Sequence, residues 1–491
     1  MNSSMILFPI FFPIVMGVLL LVGKEPKREK TYSLYTGIIL AVSAAVVLKL
    51  LMSGDVSCTL FNLTGRLPVF FKIDGMGRVF AAVFTVAWLL AAVFSFSYME
   101  KEGEKKRYFG FYLVVYGVLI ALDFAGNLIT FYIFYELMTL LSMPLVLHER
   151  TRESIMAGLK YLFYSFCGAY MVLFGLYFVY RYANTLTFTA KGVMDMSLVS
   201  GKEGLLLAAA FFMLLGFSVK AGMFPFHGWL PAAHPVAPAP ASAVLSGIIA
   251  KCGVLGIIRV AFYIFGAEFL RGTWVQNVMI ILSLVTVFMG SMLAYLENGL
   301  KKRLAYSTVS QVSYILFGLF LFDPTAMTGS LLHVAFHAFI KCGLFLCAGA
   351  VIHQTKKTKV DELLGIGKQM PVTMWCYTIL SLALIGIPPF SGFVSKWYLC
   401  VGSLHTKMPA VSWIGPVVLL LSALLTAGYL LPVTIRGFFP GNDYDYAALE
   451  KKEPCKTMLA PVLILAALAL VLGVVPEGLI GQLTAIVSQL L

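Results

Sequence analysis

Residues 220–251 read KAGMFPFHGWLPAAHPVAPAPASAVLSGIIAK, and this stretch decides how the rest of the chain is interpreted. It joins two apolar runs, yet its middle is rich in proline. Proline breaks a helix because it lacks an N–H group and clashes with the preceding turn. The stretch therefore predicts two apolar helices joined by an irregular segment, with a lysine on either side of that segment.

Composition places this stretch in a membrane protein. Of the 491 residues 60% are apolar and only 12% are charged, whereas soluble domains carry about 25% charged residues. A fibrous, disordered or nucleic-acid-binding chain is thereby excluded. Because one crossing of a bilayer takes about 20 apolar residues, the chain has room for about fourteen spans. We expect an all-α integral membrane protein.

Apolar runs bounded by charged or Gly/Pro-rich breaks predict where these spans lie. The predicted helices are 4–23, 31–52, 79–97, 109–125, 127–147, 154–180, 204–223, 240–262, 275–296, 304–321, 328–352, 371–401, 409–435 and 458–476. The tail 477–491 is short and predicts an interfacial helix. We divide the chain into an N-terminal three-helix segment (1–108), two five-helix units (109–262 and 263–435) and a C-terminal helix with its tail (436–491).

Basic residues are distributed unevenly between the predicted loops. Clusters at 101–107, 301–303 and 356–359 follow odd-numbered helices, whereas loops after even-numbered helices contain few Lys or Arg. Short basic loops stay on the cytoplasmic side of a membrane. This pattern predicts a multi-pass plasma membrane protein with both termini on the outer side. The formal net charge of +13 then reflects topology and implies no nucleic acid partner.

Several basic residues remain inside the predicted spans. We interpret three of them as side chains that extend to the membrane interface: Lys49 and Arg259, which lie near helix ends, and Lys160, which lies near a helix start. The deeper ones, or those beside Pro-broken segments, are Lys220, Lys251, Lys341 and Lys396. A charged lysine in mid-bilayer costs at least about 2.5 to 3.5 kcal/mol. We therefore expect these four to have a function.

A single acidic residue lies deep within a predicted span, where it could pair with one of these lysines. Glu136 lies in FYIFYELMTL of the fifth span, with Tyr132 and Thr139 on the same helix face. Asp123 falls at the turn between spans four and five, where a turn or cap role is expected. Glu136 is either half of an ion pair that joins helices or a titratable site. We favour the second interpretation because buried pairs are weak sources of stability.

The eleventh span contains HVAFHAFIK, which places His333, His337 and Lys341 on one helix face. Histidine titrates near neutral pH and can accept and release protons, and ionisable groups inside a membrane mark proton or ion pathways. A proton relay is therefore favoured over two satisfied core histidines. A zinc site is disfavoured because no acidic or Cys residue stands nearby, and no metal is expected.

Other polar residues leave two interpretations open. Ser307, Ser310, Gln311 and Tyr314 form a stripe on the tenth span, which either joins helices or orders a chain of waters. His227 and His234 lie in the Pro-rich connector, on the predicted cytoplasmic side. They either take up protons or cap helix ends.

The twelfth span contains a second break, GIPPFSGFVSK at 386–396. The motif FPFHGW at 224–229 aligns with PPFSGF at 388–393, an offset of 164 residues. A pair of interrupted spans at matching places in two halves is a sequence pointer to a transport site. Helices four to eight and nine to thirteen then form two five-helix repeats of inverted topology, each with a broken helix.

At this point the sequence resembles a known family. Residues 220–260, KKRLAYSTVSQVSYILFGL, HVAFHAFIKCGLFLCAG and SLALIGIPPFSGFVSKWYL are similar to the signature stretches of the antiporter-like membrane subunits. These subunits serve respiratory complex I, the multi-subunit Mrp-type sodium/proton antiporters and the energy-converting hydrogenases. The resemblance extends over about residues 70 to 435 and implies fourteen helices with two inverted repeats. It also implies other membrane subunits as partners, with protons and sodium as candidate cargo.

The resemblance also assigns roles to individual residues. Glu136 takes the place of the family's acidic residue on helix five, Lys220 its partner on helix seven, and Lys251 the central lysine on helix eight. The helix-eleven relay corresponds to His333, His337 and Lys341, and the terminal residue on helix twelve to Lys396. Some members carry Glu at that last position, and many have an acidic residue before the loop histidine where this chain has PAAH, ending at His234. The missing carboxylate weakens the case for proton uptake through this loop.

A mechanism follows from pairing these residues. Burial disfavours the ammonium form of a lysine, whereas a carboxylate within about 4 to 6 Å restores it. Opening a Glu136–Lys220 pair is therefore expected to send a proton towards Lys251, the helix-eleven face and Lys396. The sequence has no Cys cluster, haem attachment motif or nucleotide-binding Gly loop, so no cofactor is expected. Any oxidoreductase activity would reside in partner subunits.

Three alternatives stay open from the sequence. The same fold could serve as the membrane arm of an energy-converting hydrogenase or a formate hydrogenlyase. The chain could be a stand-alone solute transporter. It could also be an inert anchoring scaffold, in which case all four deep lysines would tolerate Met. The sequence favours the Mrp D-type or complex I M/N-type subunit over these three.

Overall fold

The structure is a computed structural model that describes residues 3–25, 30–65, 67–441 and 450–491, apart from the side chain of Met196. All fourteen predicted spans coincide with helices. In chain order they are α1 Phe8–Val22, α2 Lys30–Leu51, α3 Gly75–Tyr98, α4 Lys105–Asp123, α5 Leu128–Val146, α6 Arg152–Tyr182, α7 Glu203–Ala221 with its continuation Leu230–Val236, α8 Ala239–Ile264, α9 Trp274–Leu296, α10 Leu300–Phe320, α11 Pro324–Thr355, α12 Pro371–Ile385 with its continuation Ser391–Leu404, α13 Pro409–Phe438 and α14 Lys456–Val474. The mostly helical membrane fold is thereby confirmed.

Shorter elements complete the described chain. The tail forms a fifteenth helix, α15 Glu477–Leu490, and single turns occur at Ser3–Leu7, Phe226–Trp229, Met196–Val199, Ala267–Leu270, Val360–Leu363 and Ile366–Gln369. Among the described helices, eleven are long and apolar enough to cross a membrane. The other predicted spans are α4 and α10, which carry more polar residues, and α12, which is broken. The number of crossings therefore stays a prediction.

Two β-strands are an addition that the all-α expectation missed. Strand β1 (Ser57–Thr64) pairs antiparallel with β2 (Leu67–Lys72), from Ser57 opposite Lys72 to Thr64 opposite Leu67. The β2 side chains of Val69 and Phe71 are buried, whereas β1 is mostly exposed. The signal was present, since LPVFF is rich in residues that favour strands. It was hidden because the segment is also short and apolar.

The molecule has two ends that differ in charge. At the hairpin end, β2 bonds to the α4–α5 turn through Lys72 N–H and the Phe124 carbonyl (2.7 Å), and Gly75 lies against Ile486 of α15. At the basic end, Lys301 donates to the Ala237 carbonyl, and Asp361 bonds Arg436. The turn Ser3–Leu7 contacts β1, so both ends of the described chain lie at the hairpin end.

Helices α8 and α11 form the centre of the molecule. The most apolar stretch of α8 is 100% buried and that of α11 is 94% buried, whereas the corresponding stretch of α13 is only 33% buried. The two helices approach closely at Gly247, where an added Cβ would come within 2.3 Å of Cys342 Sγ. The helices that carry Lys251, His333, His337 and Lys341 are thus those most shielded from the surroundings.

The breaks in α7 and α12 have the same local geometry. Gly222 ends the first part of α7 with φ +80°, and Gly386 ends the first part of α12 with φ +93°. Each is followed by a cis X-Pro bond, Phe224–Pro225 and Pro388–Pro389. These positions are related by the same offset of 164 residues as the two sequence motifs. The repeat and the domain boundaries stay predictions.

Candidate functional site

Lys220 lies at the end of the first part of α7, fully enclosed by polar and aromatic side chains. Its Nζ donates hydrogen bonds to Thr139 Oγ1 (2.8 Å), Tyr161 OH (3.0 Å) and Ser165 Oγ (3.0 Å). The same atom lies 4.3 Å from the centroid of the Tyr161 ring. Three oxygen acceptors and a ring face together replace the hydration that a buried ammonium loses.

Glu136 is half-buried on α5, one turn before Thr139. In the described part of the chain it forms no ion pair with Lys220, and its Oε1 is buried without a hydrogen-bond partner. Glu136 still acts electrostatically on Lys220. The expected pair is thus present as neighbours in an open arrangement, because the three hydroxyl-bearing residues occupy the donors of Lys220.

Lys251 lies at the centre of α8 with no exposed surface. Its Nζ donates to the Ser246 carbonyl (2.6 Å), which belongs to a π-helical turn, Leu245–Ile249. Such turns are rare and frequently occur at functional sites. The Ser246 hydroxyl also bonds Thr308 Oγ1 on α10 (2.7 Å). Through this contact the polar surroundings of Lys251 continue onto α10.

The α11 residues share one face, as predicted. The Nζ of Lys341 donates to the Leu304 carbonyl (3.0 Å) and to Ser307 Oγ. The rings of His333 and His337 stack with centroids 5.6 Å apart, and His333 Nδ1 bonds Ser395 Oγ (2.8 Å). Both ring nitrogens of His337 are buried and lack a partner among the described residues. A histidine with free ring nitrogens can both accept and donate a proton.

Lys396 extends this face to the second break. Its Nζ donates to the Leu384 and Ile385 carbonyls (2.6 and 3.0 Å), which α12 leaves free because the helix ends there. The same atom lies 5.0 Å from the Tyr314 ring centroid, and Tyr314 stacks on His333 at 5.8 Å. The break thus supplies the acceptors that hold a buried cation.

The predicted stripe on α10 divides into two roles. Ser310 bonds Ser291 Oγ (2.8 Å) and the Val287 carbonyl (2.8 Å), so it joins α10 to α9. Ser307 and Tyr314 instead contact Lys341 and Lys396. The amide of Gln311 is buried and has no partner within the described ranges.

The two connector histidines differ in burial. His234 is fully buried and stacks on Phe345 at 4.7 Å, with neither ring nitrogen bonded to a described residue. Lys301, which donates to the Pro235 carbonyl (3.1 Å), acts on it electrostatically from the basic end. His227 is half-buried against Phe224, with ring centroids 6.0 Å apart. Neither ring supports the helix-capping interpretation.

Comparison with known proteins identifies the family to which the chain belongs. The family described as "NADH:quinone oxidoreductase/Mrp antiporter, TM" matches residues 125–426. The chain belongs to this family. The resemblance indicated by the motifs is confirmed, and the apolar helices make the chain a multi-pass membrane protein.

Similar proteins come from several kinds of complex. NADH-quinone oxidoreductase subunit N of Desulforudis audaxviator is 31% identical over 406 residues, covering 80% of this chain and 79% of that protein. Hydrogenase-4 component B of Escherichia coli is 32% identical over 421 residues, covering 82% of this chain and 62% of that protein. The structure of the Mrp complex from Dietzia sp. contains a chain with a TM-score of 0.85 at 22% identity, covering 100% of this chain and 98% of that one. This last likeness shows the fold alone.

Sequence reasoning about this antiporter-family chain misjudged one cation. Arg259 was expected to extend to the membrane interface, but its side chain is 0% exposed and pairs with Asp74 at the start of α3. The expectation was wrong because Asp74, 185 positions away, supplies a partner that no local pattern reveals. Lys49 and Lys160 are exposed, and their extension to the membrane interface stays a prediction.

Asp123 also differs from its expected turn role. It is the last residue of α4, is fully buried, and neither of its carboxylate oxygens has a hydrogen-bond partner in the described structure. The sequence had already shown a carboxylate at the end of an apolar run. Only the structure shows that it forms no hydrogen bond with the turn backbone among the described residues.

The described residues contain no cluster of metal-ligating side chains. Across residues 3–25, 30–65, 67–441 and 450–491, no group of three or more His, Cys, Asp or Glu side chains could hold a metal ion. The side chains that meet in the core of this family member are lysines, histidines and hydroxyls. This donor set suits protons, which move between lone pairs and N–H or O–H groups.

Proposed function

We propose that this chain is a proton-translocating membrane subunit of a multi-subunit complex, of the Mrp D type or the complex I M/N type. The main observation that supports this proposal is the series of ionisable groups in the bundle, from the half-buried Glu136 to the buried Lys396. Lys220, Lys251, the α11 face and Lys396 are buried in the bundle. The hydroxyl of Thr308 bonds Ser246, whose carbonyl holds Lys251, and the hydroxyl of Ser395 bonds His333. Exchange of Na⁺ for protons is a variant of this function.

Lys220 is the switch in the proposed cycle. In the arrangement with three hydroxyl contacts, Glu136 is not bonded to it. Movement of Lys220 towards Glu136 would hold the proton on the ammonium, and return to the hydroxyls would release it towards Lys251. The α11 histidines and Lys396 would then pass the proton along the second half.

Orientation and partners belong to the same proposal. The basic end would face the cytoplasm of a plasma membrane protein, and both termini the outer side, because short basic loops stay inside. His234 and His227 would take up protons at the basic end. Partners would be other membrane subunits, and any NADH:quinone or hydrogenase-type redox chemistry would lie in those partners.

The similarity to a hydrogenase-4 component supports the membrane arm of a hydrogenase complex as the second candidate. Mass spectrometry of the intact complex extracted in detergent separates the two. Iron–sulfur and nickel subunits would support the hydrogenase arm, whereas exclusively membrane subunits would support the Mrp type. Recovery of a monomer that takes up a solute unaided would favour a stand-alone transporter.

The test of proton translocation uses the purified complex in liposomes, with a pH-sensitive dye inside. Glu136→Gln removes the ionisable group at nearly constant shape and should abolish proton flux. Glu203→Gln is the matched control, because Glu203 is exposed at the start of α7, and it should retain full flux. Undiminished flux in Glu136→Gln, in a complex of normal composition, would refute the role of Glu136.

A further inference from the structure

An ion pair lies at the hairpin end of the molecule, outside the row of residues described above. Arg259 donates to both carboxylate oxygens of Asp74, with Nη2 2.9 Å from Oδ1 and Nη1 in contact with Oδ2. The guanidinium is 0% exposed and the carboxylate 21% exposed. The rings of Phe188 and Tyr263 lie 4.7 and 4.8 Å from the guanidinium carbon. This contact set holds Arg259 without any hydrogen bond to Asp123.

Asp123 lies beside this pair. An added Cβ on Gly77 would come within 2.5 Å of the Asp123 carbonyl oxygen and 3.1 Å of Asp74 Oδ1. Both residues therefore lie next to the Gly77 backbone. Arg259 acts electrostatically on the Asp123 carboxyl group, and the other titratable neighbours are Cys252 on α8 and Tyr116 on α4. Both Asp123 oxygens are buried and lack a partner among the described residues.

A cavity of about 840 Å³ with a mixed polar and apolar lining lies beside this pair at the hairpin end. Asp74 lines it together with Lys72, Thr187, Thr189, Gln482 and Gln489. Asp123 is fully buried and does not line it. Asp74 therefore borders the cavity, whereas the carboxyl group of Asp123 does not.

One guanidinium cannot neutralise two carboxylates. An ionised carboxylate in apolar surroundings without a partner is far costlier than its protonated form. In one arrangement Asp123 carries the proton and Asp74 pairs with Arg259. In the alternative arrangement Asp74 carries the proton and Asp123 pairs with Arg259. The two arrangements have the same net charge. Exchange between the two moves a proton outward without changing the buried charge.

We propose that Asp123, Arg259 and Asp74 form a proton outlet at the hairpin end, in which Arg259 pairs alternately with Asp74 and Asp123. When Arg259 moves to Asp123, the O–H bond of Asp123 breaks and the proton bonds to the carboxylate of Asp74. Asp74 then releases it into the cavity, Arg259 returns, and Asp123 accepts the next proton from the Lys251 side. Asp123 and Asp74 carry the proton, whereas Arg259 is a positioning residue.

Helix α8 provides the connection to the inner row. Arg259 follows Lys251 by eight residues, about 12 Å along a helix, and it begins a second π-helical segment, Arg259–Ile264. An added Cβ on Gly253, two residues after Lys251, would come within 3.2 Å of Lys220 Cβ, so α8 packs directly against Lys220. The delivery of protons to Asp123 rests on the proposed function, whereas the exchange of Arg259 between two carboxylates does not.

Infrared spectroscopy of the purified complex tests the exchange itself. The C=O stretch of a protonated carboxyl group is distinct from that of a carboxylate. We expect a protonated-carboxyl band at neutral pH that Asp123→Asn removes. Asp74→Asn should also remove this band, because Arg259 is then free to pair with Asp123 and ionise it. Persistence of the band in Asp74→Asn, or its absence from the unaltered protein, would overturn the proposal.

Proton flux in liposomes gives a second measurement that does not depend on the folding of Asp74→Asn. Asp123→Asn should lower flux at least about tenfold, and Asp123→Glu should restore part of it. Asp195→Asn should have no effect, because Asn can still accept the hydrogen bond from Ser197 N–H that Asp195 accepts in the loop before α7. Full flux in Asp123→Asn alongside an inactive Glu136→Gln would disprove the outlet alone. Absence of flux from the unaltered complex would count against the proposed function, while the infrared result would still decide the exchange.

Discussion

Lys220 shows how a single residue can be buried as a cation and still remain able to change partners. Its three acceptors come from α5 and α6, and Tyr161 OH is itself bonded to Ser142 Oγ (2.8 Å). These are ordinary hydroxyl groups rather than carboxylates. Lys220 is therefore solvated by the protein without being fixed by an opposite charge.

Tyr161→Phe should slow proton flux because it removes one of these acceptors and keeps the ring. A hydrogen bond to a charged group is worth about 1.5 to 3 kcal/mol, so flux should fall at least about tenfold. The measurement is initial flux into liposomes that contain the complex. Tyr177→Phe is the control, since Tyr177 is 66% exposed on the same helix. Equal flux in the two variants would contradict the role of Tyr161.

Asp361 provides a prediction about pH at the basic end. It accepts hydrogen bonds from Arg436 and from Asn298 Nδ2 (2.8 Å), and the Arg436 hydrogen bond is the main reason that its pKa lies below the usual value. A depressed carboxyl pKa stabilises the fold above about pH 4, the value of the unfolded chain. This contribution is lost as the pH falls through the folded-state pKa.

Asp361→Asn should therefore lower the thermal midpoint of the detergent-solubilised protein at pH 7. The difference from the unaltered protein should shrink as the pH is lowered below about 4. Asp55→Asn is the control, because that carboxylate is 76% exposed and pairs with Arg78. It should change the midpoint little at either pH. A difference that grows in acid would contradict the assignment.

At the scale of an element, the break of α7 depends on a backbone conformation that glycine adopts readily. Gly222 has φ +80°, and an added Cβ would come within 2.2 Å of Leu230 Cδ1. The left-handed conformation costs other residues about 1 to 2 kcal/mol, and the overlap with Leu230 adds to this. The break therefore requires glycine at position 222 for two reasons: the left-handed backbone conformation and the close approach of Leu230.

Gly222→Ala should lower the free energy of unfolding by at least about 1 to 2 kcal/mol. Gly204→Ala in the same helix should leave it unchanged or raise it by about 0.5 to 1 kcal/mol, because nothing lies within 4 Å of a Cβ there. Unfolding in detergent, followed by tryptophan fluorescence, compares the two. A smaller loss for Gly222→Ala than for Gly204→Ala would show that the break does not require glycine.

At the scale of the whole molecule, two native cysteines report on orientation. Cys58 lies on β1 at the hairpin end, and Cys455 is exposed at the start of α14, near the basic end. With the basic end in the cytoplasm, a maleimide that cannot cross membranes should label Cys58 in intact cells. It should label Cys455 only in inverted vesicles.

Cys58→Ser and Cys455→Ser variants assign the label to its site. Labelling of intact cells should disappear in Cys58→Ser and persist in Cys455→Ser. The reverse result would place the basic end outside and reverse the direction of the proposed transport. The test needs no transport activity, so it is independent of the proposed mechanism.

The sequence by itself determined where the helices lie, because apolar runs and prolines act locally along the chain. It identified the two breaks, the four deep lysines and the shared face of His333, His337 and Lys341. The hairpin escaped this reasoning. Its alternating burial depends on packing against the start of α5, through contacts such as Phe70 N–H with Thr130 Oγ1 (3.1 Å).

Only the tertiary structure decided which polar groups meet. The hydroxyls around Lys220 come from two other helices, and Asp74 reaches Arg259 across 185 positions of sequence. Such contacts depend on the rotation and depth of each helix within the bundle, which the pattern of apolar residues leaves undefined. For the same reason the open arrangement of Glu136 and the unpartnered carboxyl group of Asp123 emerged only from the folded chain.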